Sequence, residues 1–434
     1  MRKRFLCFLV PSLLLATGCV KKPGSEPAEI PETTRAGEAH VPFGSRPHPY
    51  AEGSILPSAS PAERDQAVKD FYDFWSKKYL APGCNPGELV VNSKTKPTNL
   101  TVSEAHGYGM IILAYMAGHD PEAKTRFDAM IRYHREHLSA ITSGIMAWYQ
   151  NSACNDIGGD NGATDGDLDI AYGLLLADKQ WGSCGDVNYR AHAEWVIAAI
   201  SRRGIDGQGR YPILGDWVTP SDAHYFGARV SDFMGTHFRA FQTVSKDAVW
   251  GGLLPNTYWI ADTLQRRFAP ETGLLPDFAE DLRTDNPRPA HKGFLEGARD
   301  SSYAYNACRI PLRMGTDFLL SGDARPRAIA QRLNNFAEKV SGGDPKQLRG
   351  GYHLDGTQMV DYETMAFTGP FAVGAMTDPT KQEWLDKLWT HSVTREAENY
   401  YEDTLRMLSL IALSGNWWGP EKVKSACPAL PAAQ

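Results

Sequence analysis

Apolar residues recur three and four positions apart along most of the chain between Ala62 and Trp418, which is the period of one helix face. The clearest case follows Asp120-Pro121, a pair typical of a helix N-cap and first helical position. Its apolar face comprises Phe127, Met130, Ile131, His134 and Leu138. The other predicted helices span residues 64–79, 103–117, 168–180, 187–203, 232–244, 255–268, 309–320, 324–340, 362–375, 380–396 and 401–414. Because no run alternates as a strand does, the pattern predicts an all-α chain.

The connections between these helices are uneven in length, and no sequence period repeats. The pattern alone therefore leaves a bundle, a solenoid and a closed barrel of helical hairpins open. Three connections are long and rich in glycine, namely residues 151–166, 204–221 and 273–300. Since loops often carry binding residues, they favour a toroid whose loops gather around a cleft at one end.

The N-terminus has the features of an export signal. Met1-Arg2-Lys3-Arg4 precedes a short apolar stretch, which ends at Ala16-Thr17-Gly18-Cys19. This resembles the lipobox of bacterial lipoproteins, which implies that residues 1–18 are removed and that Cys19 carries a lipid anchor in the outer membrane or at the cell surface. An ordinary signal peptide and secretion are the alternative. Residues 19–60 predict a disordered tether, 61–420 the folded domain and 421–434 a C-terminal tail.

The formal net charge is −6, and removal of residues 1–18 takes away three basic residues and no acid. An acidic surface argues against nucleic acid as a partner and suits a cationic or neutral ligand.

Five cysteines follow Cys19, and an odd number leaves at least one thiol unpaired in an oxidising compartment. They are Cys84, Cys154, Cys184, Cys308 and Cys427. Cys154 and Cys184 flank an acidic motif that a bridge between them would brace, and Cys308 lies in an apolar segment typical of a buried free thiol. No CxxC pair occurs, and His134-Arg135-Glu136-His137 has the wrong order for a zinc helix, so no metal site is indicated. We expect no cofactor.

Three alternating acids, Asp165, Asp167 and Asp169, precede a strongly apolar segment. Acidic side chains are costly to bury unless they pair with a cation or take part in binding or catalysis, and a helix N-terminus favours negative charge. A calcium loop does not fit, because Ile170 stands where such a loop needs glycine and Leu176 where it needs glutamate. We expect these acids to form the floor of a polar cleft.

Glu104 falls in the first turn of another predicted helix, beside Gly107 and Gly109. One interpretation is that Ser103 caps this helix and Glu104 interacts only with its dipole. Glycines inside a helix cost about 1 kcal/mol each, however, so something must approach the backbone closely there. This favours a site at Glu104.

Glu296 is a second candidate acid, on the long connection before Asn306 and Arg309. Arg309 has the chemistry to hold a carboxylate bidentately. Two separated carboxylates, together with aromatic side chains that stack on sugars, are typical of a glycosidase active site.

Three segments in order resemble glycoside hydrolase family 8, and the likeness covers roughly residues 60–418. They are Ser103-Glu104-x-x-Gly107-Tyr108-Gly109-Met110, Met146-Ala147-Trp148 and Ala163-Thr164-Asp165-Gly166-Asp167-x-x-Ile170-Ala171. The resemblance implies an (α/α)6 barrel over residues 61–420 and endo-acting hydrolysis of β-1,4-linked glycans with inversion. It also implies that Glu104 is the general acid and that Asp165 contacts and distorts the sugar. Trp148, Trp217 and Tyr225 fall where the family has sugar-stacking surfaces.

The sequence departs from the family at Asn306, because many members carry aspartate there as the general base. An amide cannot take a proton from water. The branch with asparagine is similar to bacillar chitosanases and lichenases and takes its base from a glutamate in an upstream loop, a position that Glu296 matches. Asn306 and Arg309 then remain as substrate-binding residues.

Chitosan is the first substrate that we expect, because acids on predicted cleft loops would attract its ammonium groups. These acids are Asp165, Asp167, Asp169, Asp277, Glu280 and Asp281. Cellulose or mixed-linkage β-glucan is the alternative substrate. A different class of function is a surface glycan-binding protein that has lost its catalytic activity, in which Asn306 replaces the former general base. We expect a monomer in each case.

Overall fold

The computed structural model describes residues 38–94 and 98–427. Within these ranges the chain forms twelve α-helices: α1 Pro61–Tyr79, α2 Ser103–Tyr115, α3 Ala123–Glu136, α4 Thr164–Trp181, α5 Tyr189–Arg203, α6 Gly235–Ser245, α7 Ala248–Phe268, α8 Ile310–Ser321, α9 Ala324–Ser341, α10 Met365–Ala375, α11 Gln382–Thr394 and α12 Tyr400–Leu413. Each predicted helix is present. The largest difference is α7, which begins at Ala248 because Asp247 caps it, and which contains Pro255 inside the helix.

The even-numbered helices form an inner ring. Each contacts the next, and α12 contacts α2, so the ring is closed. Every residue of α10 is buried, as is every residue of α2 except Glu104. The odd-numbered helices pack outside this ring and bury only one face. This is the (α/α)6 barrel, since a helix that is apolar all round belongs in the interior and an amphipathic helix belongs at the surface.

The helix α3 shows this outer position. Its predicted apolar face is buried at Phe127, Met130, Ile131 and His134. The predicted cap is wrong, because α3 begins at Ala123 with Glu122 as its N-cap. Asp120, just before the helix, accepts bonds from the backbone N–H of Glu122 and from Arg126.

Seven short strands, which the pattern did not predict, lie in the described loops: β1 Leu80–Pro82, β2 Leu89–Val91, β3 Asn99–Val102, β4 Tyr149–Asn151, β5 Ala228–Arg229, β6 Phe278–Glu280 and β7 Arg288–Pro289. They form three small antiparallel sheets, β1-β2, β3-β4 and β5-β6-β7. Strands of two to four residues are too short for an alternating pattern to be recognised. The last two sheets brace the segments that lead to the cleft.

The predicted disordered tether does not extend over residues 38–60, which we call the strap. Backbone N–H groups of the strap donate to the carbonyls of Ala117 at 2.7 Å, Leu319 at 2.8 Å and Met376 at 2.9 Å. Tyr50 donates to the carbonyl of Ala412 at 2.9 Å. These carbonyls stand at or beside the C-terminal ends of α2, α8, α10 and α12, where helices leave acceptors unpaired. The strap therefore crosses one end of the barrel, although its composition is that of a linker.

Two disulfides replace the predicted Cys154–Cys184 bridge. Cys84 pairs with Cys154, and Cys184 pairs with Cys427. Cys308 is a buried free thiol, as expected from its apolar segment. Each cysteine near the acidic motif thus bonds to a partner that is remote in sequence.

Residues 1–37, which include the predicted signal peptide, Cys19 and the first part of the predicted tether, lie outside the described residues, and the predicted C-terminal tail is described as far as residue 427. In the described part of the chain, no helix combines the length and the apolar character needed to cross a membrane.

Candidate active site

The helices α2 and α4 approach each other closely through glycines. A Cβ on Gly107 would lie 2.6 Å from the Cβ of Asp169, and one on Gly166 would lie 2.6 Å from the backbone carbon of Ser103. The close approach that we expected at the glycines of α2 is made by α4 at Gly107 and by Val91 and Met130 at Gly109. Because the first turns of both helices are in contact, Glu104 and Asp165 are brought together.

Glu104 points into the cleft with its side chain 21% exposed. The capping interpretation is wrong, since Val102 occupies the N-cap and no side chain caps α2. One oxygen, Oε2, lies 3.4 Å from Arg309 Nη1, and Oε1 has no partner among the described residues. Burial raises the pKa of Glu104, Arg309 opposes this and Asp165 adds to it, so that the pKa remains above its usual value. Glu104 is thus suited to hold a proton.

Asp165 has the opposite electrostatic environment. It is 4% exposed, and its Oδ2 accepts a bond of 2.9 Å from Arg309 Nη1. Arg229 Nη1 lies 3.7 Å from Oδ1, which also accepts the N–H of Gly166 at 3.0 Å. Burial alone would raise the pKa of Asp165, but Arg229 and Arg309 lower it to about 2. Asp165 is therefore an ionised carboxylate at the helix mouth.

The other two acids of the motif serve the fold. Asp169 accepts a bond of 2.8 Å from Arg313 Nη1 and lies 2.8 Å from His237 Nε2 in the interior. Asp167 accepts the backbone N–H of Met146 at 2.9 Å, and its burial raises its pKa well above the usual value. Of the three acids that we expected at the floor of the cleft, only Asp165 lines it.

Glu296 reaches the same site from its loop. Its Oε2 accepts a bond of 2.9 Å from Asn306 Nδ2, and its Oε1 lies 3.4 Å from Arg229 Nη2. The side chain is 50% exposed and so remains open to water. Asp300 fixes the loop, because its carboxylate accepts the backbone N–H groups of Leu295 at 2.8 Å and Glu296 at 3.1 Å.

Two arginines, Arg309 and Arg229, contact the carboxylates of the site. Arg309, which we expected to hold a carboxylate bidentately, contacts Asp165 through one nitrogen and also donates to Ser231 Oγ at 2.8 Å. The arginine that contacts Glu296 is Arg229, which sequence reasoning missed. Arg229 also lies close to Asp165 and donates to Asn306 Oδ1 at 2.8 Å. Its one sequence signal is an arginine within the otherwise small and apolar segment 227–230.

The cleft consists of two adjoining cavities of about 430 and 330 Å³, which share Trp148, Arg229 and Glu296 in their walls. Glu104 and Asp165 line the smaller cavity, and Trp217 lines the larger one. These positions fit the predicted stacking role of the two tryptophans.

Tyr225 does not line either cavity. Its hydroxyl accepts the backbone N–H of Gly207 at 2.6 Å, and its ring packs edge to face against Phe226. This tyrosine supports a loop beside the cleft.

A carboxyl group that tends to keep its proton and a water-exposed carboxylate therefore share one cleft, with an ionised aspartate and two tryptophans around them. Such a pair supplies a general acid and a general base.

A family model described as glycosyl hydrolases family 8 matches residues 60–415. The chain is 42% identical to a beta-glucanase of Niallia circulans over 371 residues, which are 85% of this chain and 89% of that protein. It is 36% identical to an endoglucanase of Bacillus sp. strain KSM-330 over 364 residues, 82% of this chain and 77% of that one.

A solved structure, the apo form of a β-1,3-1,4-glucanase from Paenibacillus sp. X4, has the same architecture. Its TM-score is 0.85 at 40% identity, and the match covers 88% of this chain and 100% of that one.

Proposed function

Because the chain belongs to family 8 of the glycosyl hydrolases, and is therefore a glycoside hydrolase, we propose that it cleaves internal β-1,4 bonds of a β-glucan with inversion. The observation that carries this proposal is the shared cleft of Glu104, Asp165 and Glu296, in which the environments of the first two drive their protonation in opposite directions. These environments suit Glu104 to donate a proton and Asp165 to stay charged, and the half-exposed Glu296 in the same cleft completes the set as the base.

In this mechanism, Glu104 donates its proton to the glycosidic oxygen as the bond breaks. Glu296 takes a proton from a water molecule that attacks the anomeric carbon from the opposite face. Asp165 stays ionised beside Arg309, contacts the sugar next to the scissile bond and favours its distorted form. Trp148 and Trp217 provide apolar faces for the sugar rings of the chain.

The charge distribution favours a neutral glucan over chitosan. Of the six acids on which the chitosan expectation rests, Asp165 pairs with Arg309 and Asp169 with Arg313. Glu280 and Asp281 both contact Arg288. Little unpaired negative charge is left in the cleft to attract a polycation. The beta-glucanase, the endoglucanase and the β-1,3-1,4-glucanase among the relatives support the same choice.

The test compares wild type, Glu104→Gln and Glu296→Gln on barley mixed-linkage glucan, carboxymethyl cellulose, chitosan and xylan. We expect the wild type to release reducing ends fastest from a β-glucan, and each variant to lose at least about 100-fold, since general acid and base catalysis contribute factors of this size. Anomeric NMR of the first product should show inversion.

Three results would contradict the proposal. Full activity of Glu296→Gln would remove Glu296 as the base, and faster cleavage of chitosan would restore the chitosanase interpretation. A wild type that releases nothing from any β-1,4-glycan would favour the glycan-binding alternative. The control is Gln66→Glu on the exposed face of α1, which replaces an amide with a carboxylate away from the cleft. It should leave all rates unchanged.

We further propose export and lipid attachment at Cys19, on the strength of the lipobox-like segment and of two disulfides, which are typical of oxidising compartments. Labelling of cells with radioactive palmitate should mark the wild type but not Cys19→Ala. Equal labelling of both would contradict the anchor.

A further inference from the structure

The side chain of Asn306 connects both arginines of the site to Glu296. Its Oδ1 accepts bonds from Arg229 Nε at 2.8 Å and from Arg309 Nη2 at 3.1 Å. Its Nδ2 donates to Glu296 Oε2 at 2.9 Å. A reversed amide would turn its N–H groups toward two guanidinium donors, so the surrounding chemistry fixes its orientation.

The backbone of Asn306 is fixed as well. The buried Asp277 accepts the N–H groups of Asn306 at 3.1 Å and Ala307 at 2.7 Å through one oxygen, Oδ1. Arg309 Nε donates to the carbonyl of Asn306 at 3.2 Å. The amide therefore has a position set by buried groups, whereas Glu296 is a half-exposed side chain on a loop.

We propose that Asn306 is a positioning residue, which orients the Glu296 carboxylate through its amide N–H and exchanges no proton itself. The inference rests on the assignment of Glu296 as the base in the proposed function. The amide N–H occupies one lone pair of Oε2 and the more distant Arg229 faces Oε1, which leaves lone pairs on both oxygens for the attacking water. Asn306 thus has a definite task and is not a remnant of lost chemistry.

An aspartate at position 306 would not serve as a substitute base in this chain. It would still accept bonds from Arg229 and Arg309, but it would place an oxygen where an N–H now faces Glu296 Oε2. Two carboxylates at hydrogen-bonding distance cannot both be ionised at little cost. Either the two acids share a proton or Glu296 turns away.

The first measurement is the pH dependence of kcat and KM on barley glucan for Asn306→Ala and Asn306→Asp. We expect kcat of Asn306→Ala to fall at least about tenfold, the effect of one hydrogen bond to a charged group, with KM changed by less than about twofold. The acid limb of kcat should move to higher pH, because the ionised base loses a bond that stabilises it. It should move further in Asn306→Asp. A merely structural role would lower kcat without moving this limb.

The decisive variant combines Glu296→Gln with Asn306→Asp. We expect it to be no more active than Glu296→Gln alone. Recovery of activity in the double variant would show that position 306 itself holds a working base, and would overturn the inference.

The control is Asn256→Ala on the outer helix α7, where Nδ2 donates to the carbonyl of Gly252 at 3.0 Å. It should leave kcat and the acid limb unchanged. If Asn306→Ala does not fold by circular dichroism, Asn306→Asp still retains the acceptors of both arginines and carries the test. Full activity of Glu296→Gln would contradict the proposed base. If Glu296→Gln is inactive but the Asn306 variants keep the kcat and the acid limb of the wild type, the positioning role alone is contradicted.

Discussion

Asp165 and Glu104 influence each other through Arg309, which lies 2.9 Å from one carboxylate and 3.4 Å from the other. The negative charge of Asp165 is one of the groups that raise the pKa of Glu104, after burial. Arg309 acts in the opposite direction, and Asp165 occupies part of its hydrogen-bonding capacity. The protonated form of Glu104 is therefore maintained by burial together with an ionised neighbour.

Asp165→Asn should consequently move the alkaline limb of kcat/KM to lower pH. The amide removes a charge that raises the pKa of Glu104, so the general acid loses its proton at a lower pH than in the wild type. We also expect kcat at the optimum to fall by about 100-fold, comparable with the loss of one charged contact in a transition state. The measurement is a pH profile of initial rates on barley glucan.

Asp281→Asn is the matched control, since this half-exposed acid contacts Arg288 away from the cleft. Its limb should coincide with that of the wild type. An alkaline limb that stays in place or moves upward in Asp165→Asn would contradict the coupling.

The sequence allowed Glu104 and Asp165 to be located because each lies in a recognisable local motif. Arg229 could not be located in this way, since it meets Glu296 across 67 positions of the chain. The charge of a lone arginine between small residues does not indicate which acid it will contact.

Among the elements, the pair α2 and α4 determines the distance between the first turns that carry Glu104 and Asp165. At Gly166, a Cβ would lie 2.6 Å from the backbone carbon of Ser103 and 2.7 Å from the backbone nitrogen of Glu104. Backbone atoms of a packed helix cannot move aside as a flexible side chain can.

Gly166→Ala should therefore destabilise the protein by about 1–3 kcal/mol, the usual cost of overpacking, and should also lower kcat because the helix mouths separate. Gly185→Ala is the control, since a Cβ there has no atom within 4 Å. Urea unfolding midpoints and initial rates provide the two measurements. Equal midpoints for Gly166→Ala and Gly185→Ala would contradict this account of the helix contact.

The outer helices could be predicted because they repeat an apolar face over several turns, as Phe127, Met130, Ile131 and His134 do in α3, and the inner helices because their apolar segments are long. The strands could not, because none of them exceeds four residues and two of the pairings are remote: Val102 lies opposite Tyr149, and Arg229 opposite Phe278. Such partners are set by the closed ring of helices and have no local pattern.

In the whole molecule, the strap and the cleft occupy opposite ends of the inner helices. Glu104 and Asp165 stand in the first turns of α2 and α4, whereas the strap bonds to Ala117 beyond the end of α2 and to Gln180 in the last turn of α4. Composition did not reveal the strap, because the apolar residues that it packs against the core, such as Val41, Phe43 and Ile55, are scattered among polar and turn-forming residues.

Deletion of residues 38–60 from the otherwise full chain should lower the free energy of unfolding by at least about 2–6 kcal/mol, the contribution of four of its hydrogen bonds alone. Four of the strap's bonds, to Ala117, Leu319, Met376 and Ala412, would be lost, and a typical hydrogen bond contributes about 0.5–1.5 kcal/mol. The carbonyl groups at these helix ends would then have to find water as their hydrogen-bond partner. Because the cleft lies at the other end of the barrel, the pH optimum on barley glucan should stay the same below the unfolding temperature. Glu52→Ala, an exposed strap residue, is the control and should change neither quantity; an unfolding midpoint in urea that is identical for the deletion and the wild type would show that the barrel closes without the strap.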